Sequence, residues 1–314
     1  MKNNKIALRL LVAGALVSGA VAPAYAQDDE GLFEEITVTA TKRAQSIYEV
    51  PIALSAFEGD KLAQQGIVDI VDVGKFVPNL NITQFSAGHT SSANPFIRGI
   101  GLQDHLITTD PGVSVYVDGV YLGRQVGQNW SLSNLERIEV LRGPQGTLYG
   151  RNSIGGAINL ITKTPGADPG ARVGIEAGSR SRLNADFYAD TKLSDSTAVS
   201  FTGGFKSRGG LGDFRNLPNA GIKVGETQEV FARVALRYDA DNVAVTIAAD
   251  ANDAEGGLRP YTTLIDELPE SSALRTAGYT NADVSSDPYD NNTGQANQAR
   301  VTNSASGVAV TLDW

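Results

Sequence analysis

Residue types that carry covalent chemistry are scarce in this 314-residue sequence, and those present are not spaced for it. There is no cysteine, which excludes disulfides, thiolate metal sites and cysteine nucleophiles. The two histidines, His89 and His105, stand in separate polar stretches without the partner spacing of a metal centre. Ordinary loop residues are the plainer reading of both, with a metal or haem role as the alternative. Gly143-Pro144-Gln145-Gly146-Thr147-Leu148-Tyr149-Gly150 has the glycines of a phosphate-cradling loop. No Gly-Lys-Ser/Thr follows, however, and the flanking segments read as strands, so tight turns with positive φ account for it. No nucleophile is spaced with a general base. The sequence therefore predicts no catalytic residue, no metal site, no cofactor, and a protein that is not an enzyme.

What remains is chemistry of the main chain. After Glu34-Glu35, the residues Ile36, Val38 and Ala40 alternate with Thr37, Thr39 and Thr41. Such a run favours an extended backbone but is too short to be stable alone. Its free edges suit capture by a partner's sheet edge through main-chain hydrogen bonds; the alternative is a first strand of the domain that follows. Upstream, Lys2, Lys5 and Arg9 precede an apolar run from Leu10 to Val17, and Ala24-Tyr25-Ala26 supplies the small-x-small pattern of a cleaved export signal. The apolar run is too short for a comfortable membrane-spanning helix, and no later segment supplies one. Setting aside the three leader charges among 26 Lys and Arg leaves 23 to face 35 Asp and Glu. That balance repels phosphates and argues against a nucleic-acid partner.

The stretch 50–165 reads as a compact mixed α/β domain. Val50 to Phe57 predicts a strand, Asp60 caps a helical turn through Gln65, and Asp69 to Phe76 forms another that Pro78 ends. Short strands are expected at 94–99, 112–119, 137–143 and 156–162. Three of these segments, Phe96-Ile97-Arg98-Gly99, Val115-Tyr116-Val117-Asp118-Gly119-Val120 and Ile138-Glu139-Val140-Leu141-Arg142-Gly143-Pro144, are similar in order and spacing to the plug domain of TonB-dependent outer-membrane receptors, as are the glycine-rich turn and Asn152 to Asn159 after them. Glu35-Ile36-Thr37-Val38-Thr39-Ala40 resembles that family's TonB box, which lies between the export signal and the plug. The resemblance implies that these six residues bind TonB, itself energised by an inner-membrane complex. It also implies that the plug fills a barrel and that Arg98, Arg142 and Arg151 pair with acidic groups on the barrel wall. Taken bottom-up, those three arginines are solvated surface charges. Ligands in the family sit between plug apices and extracellular loops, which makes Phe85, His89, Gln103 and His105 the ligand-facing candidates. The implied ligand is a ferric siderophore or other iron complex, and the implied location is the outer membrane of a Gram-negative bacterium, with plug and TonB box reachable from the periplasm.

From 166 onward the texture becomes long two-faced alternation. Leu183, Ala185, Phe187 and Ala189 oppose Asn184, Asp186, Tyr188 and Asp190; Val230, Ala232, Val234, Leu236 and Tyr238 continue the pattern, as do Val308, Val310, Leu312 and Trp314. A soluble sandwich also alternates. Segments of around ten residues, charged polar faces, and short turns alternating with long polar loops (about 208–228 and 253–298) favour an antiparallel transmembrane barrel instead. About six such strands are present, whereas plugged outer-membrane transporters use about 22, and an open sheet in lipid leaves unsatisfied edges. The expected architecture is therefore a signal peptide (1–26), a periplasmic tether with the TonB box (27–49), a plug (50–165) and the N-terminal part of a barrel (166–314), in an N-terminal fragment of a receptor. The other functional reading is an exported plug-type binding or signalling module without transport activity.

Overall fold

The computed structural model describes residues 36–65, 67, 69–84, 92–103, 108–128, 134–259, 264–294 and 299–314. The export signal at 1–26 and the tether up to Glu35 lie outside the described residues.

Two sheets dominate. The first has five strands in the order β3-β9-β10-β7-β8: β3 (Ala53–Glu58), β7 (Val113–Val117), β8 (Val120–Tyr121), β9 (Leu135–Arg142) and β10 (Gly156–Thr162). β7 runs parallel to β10, and the other pairs are antiparallel. All five residues of β7 are buried because both sheet faces are covered. On one face Val113, Val115, Ile138, Val140, Ile158 and Leu160 meet Leu62 of α1 (Gly59–Gln64), and Ile70 and Val73 of α2 (Ile70–Val73). The carboxylate of Asp69 caps α2 by accepting from the N–H groups of Val71 and Asp72, as its position ahead of an apolar run predicts. A small sheet of β4 (Leu80–Thr83), β5 (Asn94–Ile97) and β6 (Ile100–Gly101) lies in the same layer.

The opposite face holds Tyr116, Leu141, Ala157 and Tyr149 of α3 (Gly146–Tyr149). It is covered by the chain start, where β1 (Thr37–Val38) pairs with β2 (Gln45–Ser46). Two expectations shift here. Asp60 falls inside α1, which begins at Gly59, and the glycine-rich turn contains the helical turn α3 between its glycines.

The second sheet is a six-stranded antiparallel meander: β11 (Gly170–Gly178), β12 (Arg182–Ser194), β13 (Thr197–Arg208), β14 (Thr227–Asp239), β15 (Ala244–Gly257) and β16 (Arg300–Asp313). It is open, a partial barrel. Most of its strands outrun the expected ten residues. Asn252, Asp253 and Glu255, which look like loop in sequence, continue the ladder because their side chains pair across strands with Glu229, Ser304 and Arg300. Short turns join β12 to β13 and β14 to β15. At the other end stand the loops 209–226 and 258–299, the latter carrying α4 (Ala273–Thr276).

The polarity of this sheet is inside out for a water-soluble protein. Ser200, Thr202, Asp190 and Arg233 are buried, while Val173, Ile175, Phe187, Val234, Val308 and Val310 are exposed. The stacked rings of Phe187 and Phe201, 4.7 Å apart, belong to the exposed face.

The tightest backbone fit in the five-stranded sheet is at Gly156, where φ is +153° and an added Cβ would stand 2.2 Å from the carbonyl oxygen of Leu141. We expect Gly156→Ala to part β10 from β9 and cost about 2 kcal/mol or more, read as a lowered denaturant midpoint of the five-stranded domain.

Candidate functional site

Two arrangements of side chains stand out, one at the chain start and one where the two sheets meet. At the first, Val38 and Ala40 are fully buried. The N–H of Thr39 donates to Oε1 of Glu139 at 2.7 Å, and its hydroxyl donates to the same oxygen at 3.2 Å. Glu139 lies mid-strand in β9 with its side chain wholly enclosed, and Arg137 Nε holds it at 2.9 Å. A buried carboxylate accepts this arrangement only because donors surround it. Beside it, the hydroxyl of Tyr149 donates to the carbonyl of Ala40 at 2.9 Å and accepts from Asn159 Nδ2 at 2.7 Å. Lys42, in a left-handed turn at φ 64°, places its ammonium 4.2 Å from the centre of the Tyr149 ring. The segment is thus held by one carboxylate, one phenol and two small apolar side chains, whose burial stabilises docking by roughly 2–3 kcal/mol. That is weak enough for a partner strand to compete with it.

At the second, Asp118 is carried at the tip of the β7–β8 hairpin. Asp118 and Gly119 both have positive φ, 47° and 82°, the Asp-Gly conformation of a two-residue turn. The carboxylate of Asp118 accepts from the N–H of Thr162 at 2.8 Å and from its hydroxyl at 2.9 Å. It also faces Arg233 of β14, whose guanidinium bonds Asp118 through Nη2 and Asp250 of β15 through Nη1, the latter at 3.0 Å. Arg233 and Asp250 are direct cross-strand partners, and the Arg233 side chain is only 9% exposed. One guanidinium therefore joins the two sheets. Two further contacts flank it: Gly166 N–H donates to both carboxylate oxygens of Asp190 in β12, at 2.8 and 2.9 Å, and Arg259 Nη2 donates to Gln84 at 3.1 Å.

The residues predicted from sequence are distributed as follows. Ile36, Thr37, Val38, Thr39 and Ala40 form the docked segment; Glu35 lies outside the described residues. The recorded partners of the three arginines lie within the first domain: Arg142 Nη1 donates to the Pro78 carbonyl at 3.4 Å, Arg151 stands 4.0 Å from Asp110, and Arg98 occupies the β5–β6 turn at φ 54°, its guanidinium beside Gly143. Gln103 is exposed, and its carbonyl accepts from Asn94 Nδ2. Phe85, His89 and His105 lie outside the described residues. Sequence reasoning passed over Asp118, Arg233 and Asp250. Their signal was present: a single Arg and a single Asp stand on the polar faces of neighbouring, otherwise small-residue stretches, Ala232 to Ala235 and Ala248 to Ala251, at matching distance from a tight turn.

Residues 46–157 match the family model described as the TonB-dependent Receptor Plug Domain. That stretch is a plug domain of the TonB-dependent receptor kind. The Vitamin B12 transporter BtuB of Vibrio vulnificus is 29% identical over 211 residues, covering 66% of this chain and 33% of that protein. The Iron-regulated outer membrane virulence protein of Vibrio cholerae is 32% identical over 192 residues, 58% of this chain and 29% of that protein. Among solved structures, the ferric yersiniabactin uptake receptor of Yersinia pestis superposes with a TM-score of 0.59 at 24% identity, over 69% of this chain and 34% of that one. The ferripyoverdine receptor of Pseudomonas aeruginosa gives 0.58 at 21%, over 75% and 30%. At those identities the superpositions establish the shared fold. The chain spans about a third of the length of these relatives. In it, the five-stranded domain is the plug and the six-stranded sheet is part of the barrel that surrounds one.

Burial pushes the Tyr149 hydroxyl up from 10.0 to about 12 in this plug. A pKa raised in the folded state stabilises the docked segment fully below pH 10, and that contribution fades as pH rises from 10 to 12. A spin label at Arg43→Cys should stay immobile to pH 10 and loosen above it. Tyr149→Phe, which leaves the Ala40 carbonyl unpaired at a cost of about 1–3 kcal/mol, should loosen the label at neutral pH. At the wall, Arg233→Ala should weaken plug retention by about 2–4 kcal/mol. Adding Asp118→Ala should cost less than the sum of the single changes, as measured by urea extraction of the plug's exchange protection.

Proposed function

We propose that this chain supplies the export signal, TonB box, plug and first barrel strands of an outer-membrane receptor that takes up a scarce ligand with energy delivered through TonB. The observation that carries the reading is the inverted sheet: its charged face is buried against the plug through Arg233 and Asp118, and its apolar face is exposed. Lipid on the outside and a filled polar lumen on the inside meet those requirements together. Among the described residues no helix is long and apolar enough to cross a membrane. On this reading the long loops 209–226 and 258–299 are extracellular and the short turns periplasmic.

The docked segment supports TonB coupling. Its extended backbone is held by a few polar contacts at one domain face, and a strand from a partner can replace them with a full ladder. We assign 1–26 to the signal, 27–49 to the tether, 50–165 to the plug and 166–314 to barrel strands. Glu35 to Ala40 are assigned to TonB. Phe85, His89, Gln103 and His105 are assigned to ligand binding, and Arg98, Arg142 and Arg151 to pairing with carboxylates of a closed barrel wall, in place of the contacts within the plug that they make here. For the ligand we propose a ferric siderophore, supported by the names of the yersiniabactin and pyoverdine receptors; cobalamin is the competing cargo suggested by the Vibrio vulnificus relative.

Uptake of radiolabelled ferric catecholate, ferric hydroxamate and cobalamin by cells expressing the receptor, with and without TonB, tests both parts. TonB-dependent uptake of an iron complex is expected. Uptake that persists without TonB contradicts the coupling, and uptake of cobalamin alone contradicts the ligand.

A further inference from the structure

The loops 209–226 and 258–299 leave different hairpins, yet they are bonded to each other as a small sheet would be. The N–H of Arg215 donates to the Thr293 carbonyl at 2.9 Å, and the N–H of Thr293 returns the bond to the Asp213 carbonyl at 3.1 Å. A third rung runs from the Asp213 N–H to Oδ1 of Asn292 at 2.7 Å. The fit leaves no room for a side chain at Gly212, where an added Cβ would stand 2.5 Å from the Asn291 carbonyl oxygen. Beneath the rungs lies a separate apolar cluster. Phe214 and Val224, 3% and 0% exposed, pack with Leu217, Ile222 and Leu258, which come from both loops.

The guanidinium of Arg215 bonds the carboxylate of Asp290 across the seam. That carboxylate also accepts from the Asn292 N–H at 2.9 Å, and these donors hold it below the usual carboxylate range. An exposed ion pair alone is worth little. This one is partly buried and is backed by two main-chain bonds, a third from main chain to side chain, and an apolar cluster, the combination that makes loops cooperative rather than independent.

We infer that residues 209–226 and 264–294 of the two long loops form one folded lid, joined at the Arg215–Asp290 pair, which orders and loosens as a single body. Arg259, at the foot of the second loop, bonds Gln84 at the end of β4. A ligand that seats against either loop therefore meets both as one surface. The geometry stands independently of which ligand is carried and of whether TonB drives uptake.

The test is hydrogen exchange of the purified receptor in lipid nanodiscs, without ligand or TonB, comparing Arg215→Asp, Asp290→Arg and the double swap. Each single reversal should speed exchange about tenfold in both loops, at 213–224 and at 287–294, since a charge-assisted bond is worth roughly 1.5–3 kcal/mol. The double swap should return both loops toward the parent rates. Acceleration confined to the loop that carries the substitution overturns the single lid, and so does a double swap that restores neither loop. Should a single reversal disturb the strands beneath, the double swap still decides, because only a shared ion pair restores order in both loops together.

Discussion

A sheet face that carries guanidinium and carboxylate groups can be left neither against lipid nor empty. Arg233 concentrates that constraint. Its charge is almost wholly removed from water, and only carboxylates on both sides make that tolerable. One of them, Asp250, belongs to the neighbouring strand and orients the guanidinium along the wall. The other, Asp118, belongs to the plug and exists at that point in space only because an Asp-Gly turn brings β7 back as β8. Two carboxylates against one guanidinium leave an excess negative charge, and the Thr162 N–H and hydroxyl meet it from β10. A turn, a neighbouring plug strand and two barrel strands are thus required for one side chain to be buried. The reverse also holds: without the plug, Arg233 would lose Asp118 and keep only Asp250 as its carboxylate partner.

The same logic acts at the other face of the plug. A five-stranded sheet with apolar residues on both faces needs two covering layers, and the chain after its helices supplies only one. The docked segment 36–40 supplies the second. Val38 and Ala40 close over Leu141 and Ala157, while Glu139 and Tyr149 take up the main-chain groups that a free strand would show to water. An extended segment docked in this way is kept from non-specific pairing. It is held by side chains rather than by a full ladder, so its release breaks a few bonds and leaves the five-stranded sheet intact.

How much of this was legible beforehand depended on whether the determinant was local. The alternation at 182–206 and 227–251 gave strands and faces correctly, since period-two patterning needs no knowledge of the partner. The helical turn expected over Asp69 to Phe76 is present in shorter form, Ile70–Val73, whereas Asp118-Gly119, read as the end of a strand over 112–119, is the turn of a hairpin, because both residues take positive φ. The strand ends were misjudged at 252–257 because polar residues looked like loop, whereas a ladder continues wherever the main chain finds a partner. The joining role of Arg233 could not be read from its own strand. It depends on Asp118, 115 positions away, and on register with Asp250, which only the folded wall sets. Whether 36–40 stood free or formed a layer of the plug was open for the same reason: Glu139 lies 100 residues from Thr39.

The central claim is that the six strands turn their apolar face outward to lipid and their charged face inward to the plug. These 314 residues contain no cysteine, so single cysteines along β14, from Val230 to Arg237, can be labelled specifically in the receptor assembled in membranes once any cysteine elsewhere in it is replaced. Quenching of a fluorophore at each position by a lipid-confined quencher measures the claim most directly. The account predicts strict alternation, with Val230, Ala232, Val234 and Leu236 quenched and Phe231, Arg233, Ala235 and Arg237 protected. Uniform quenching, or quenching of the Arg233 set, would contradict it.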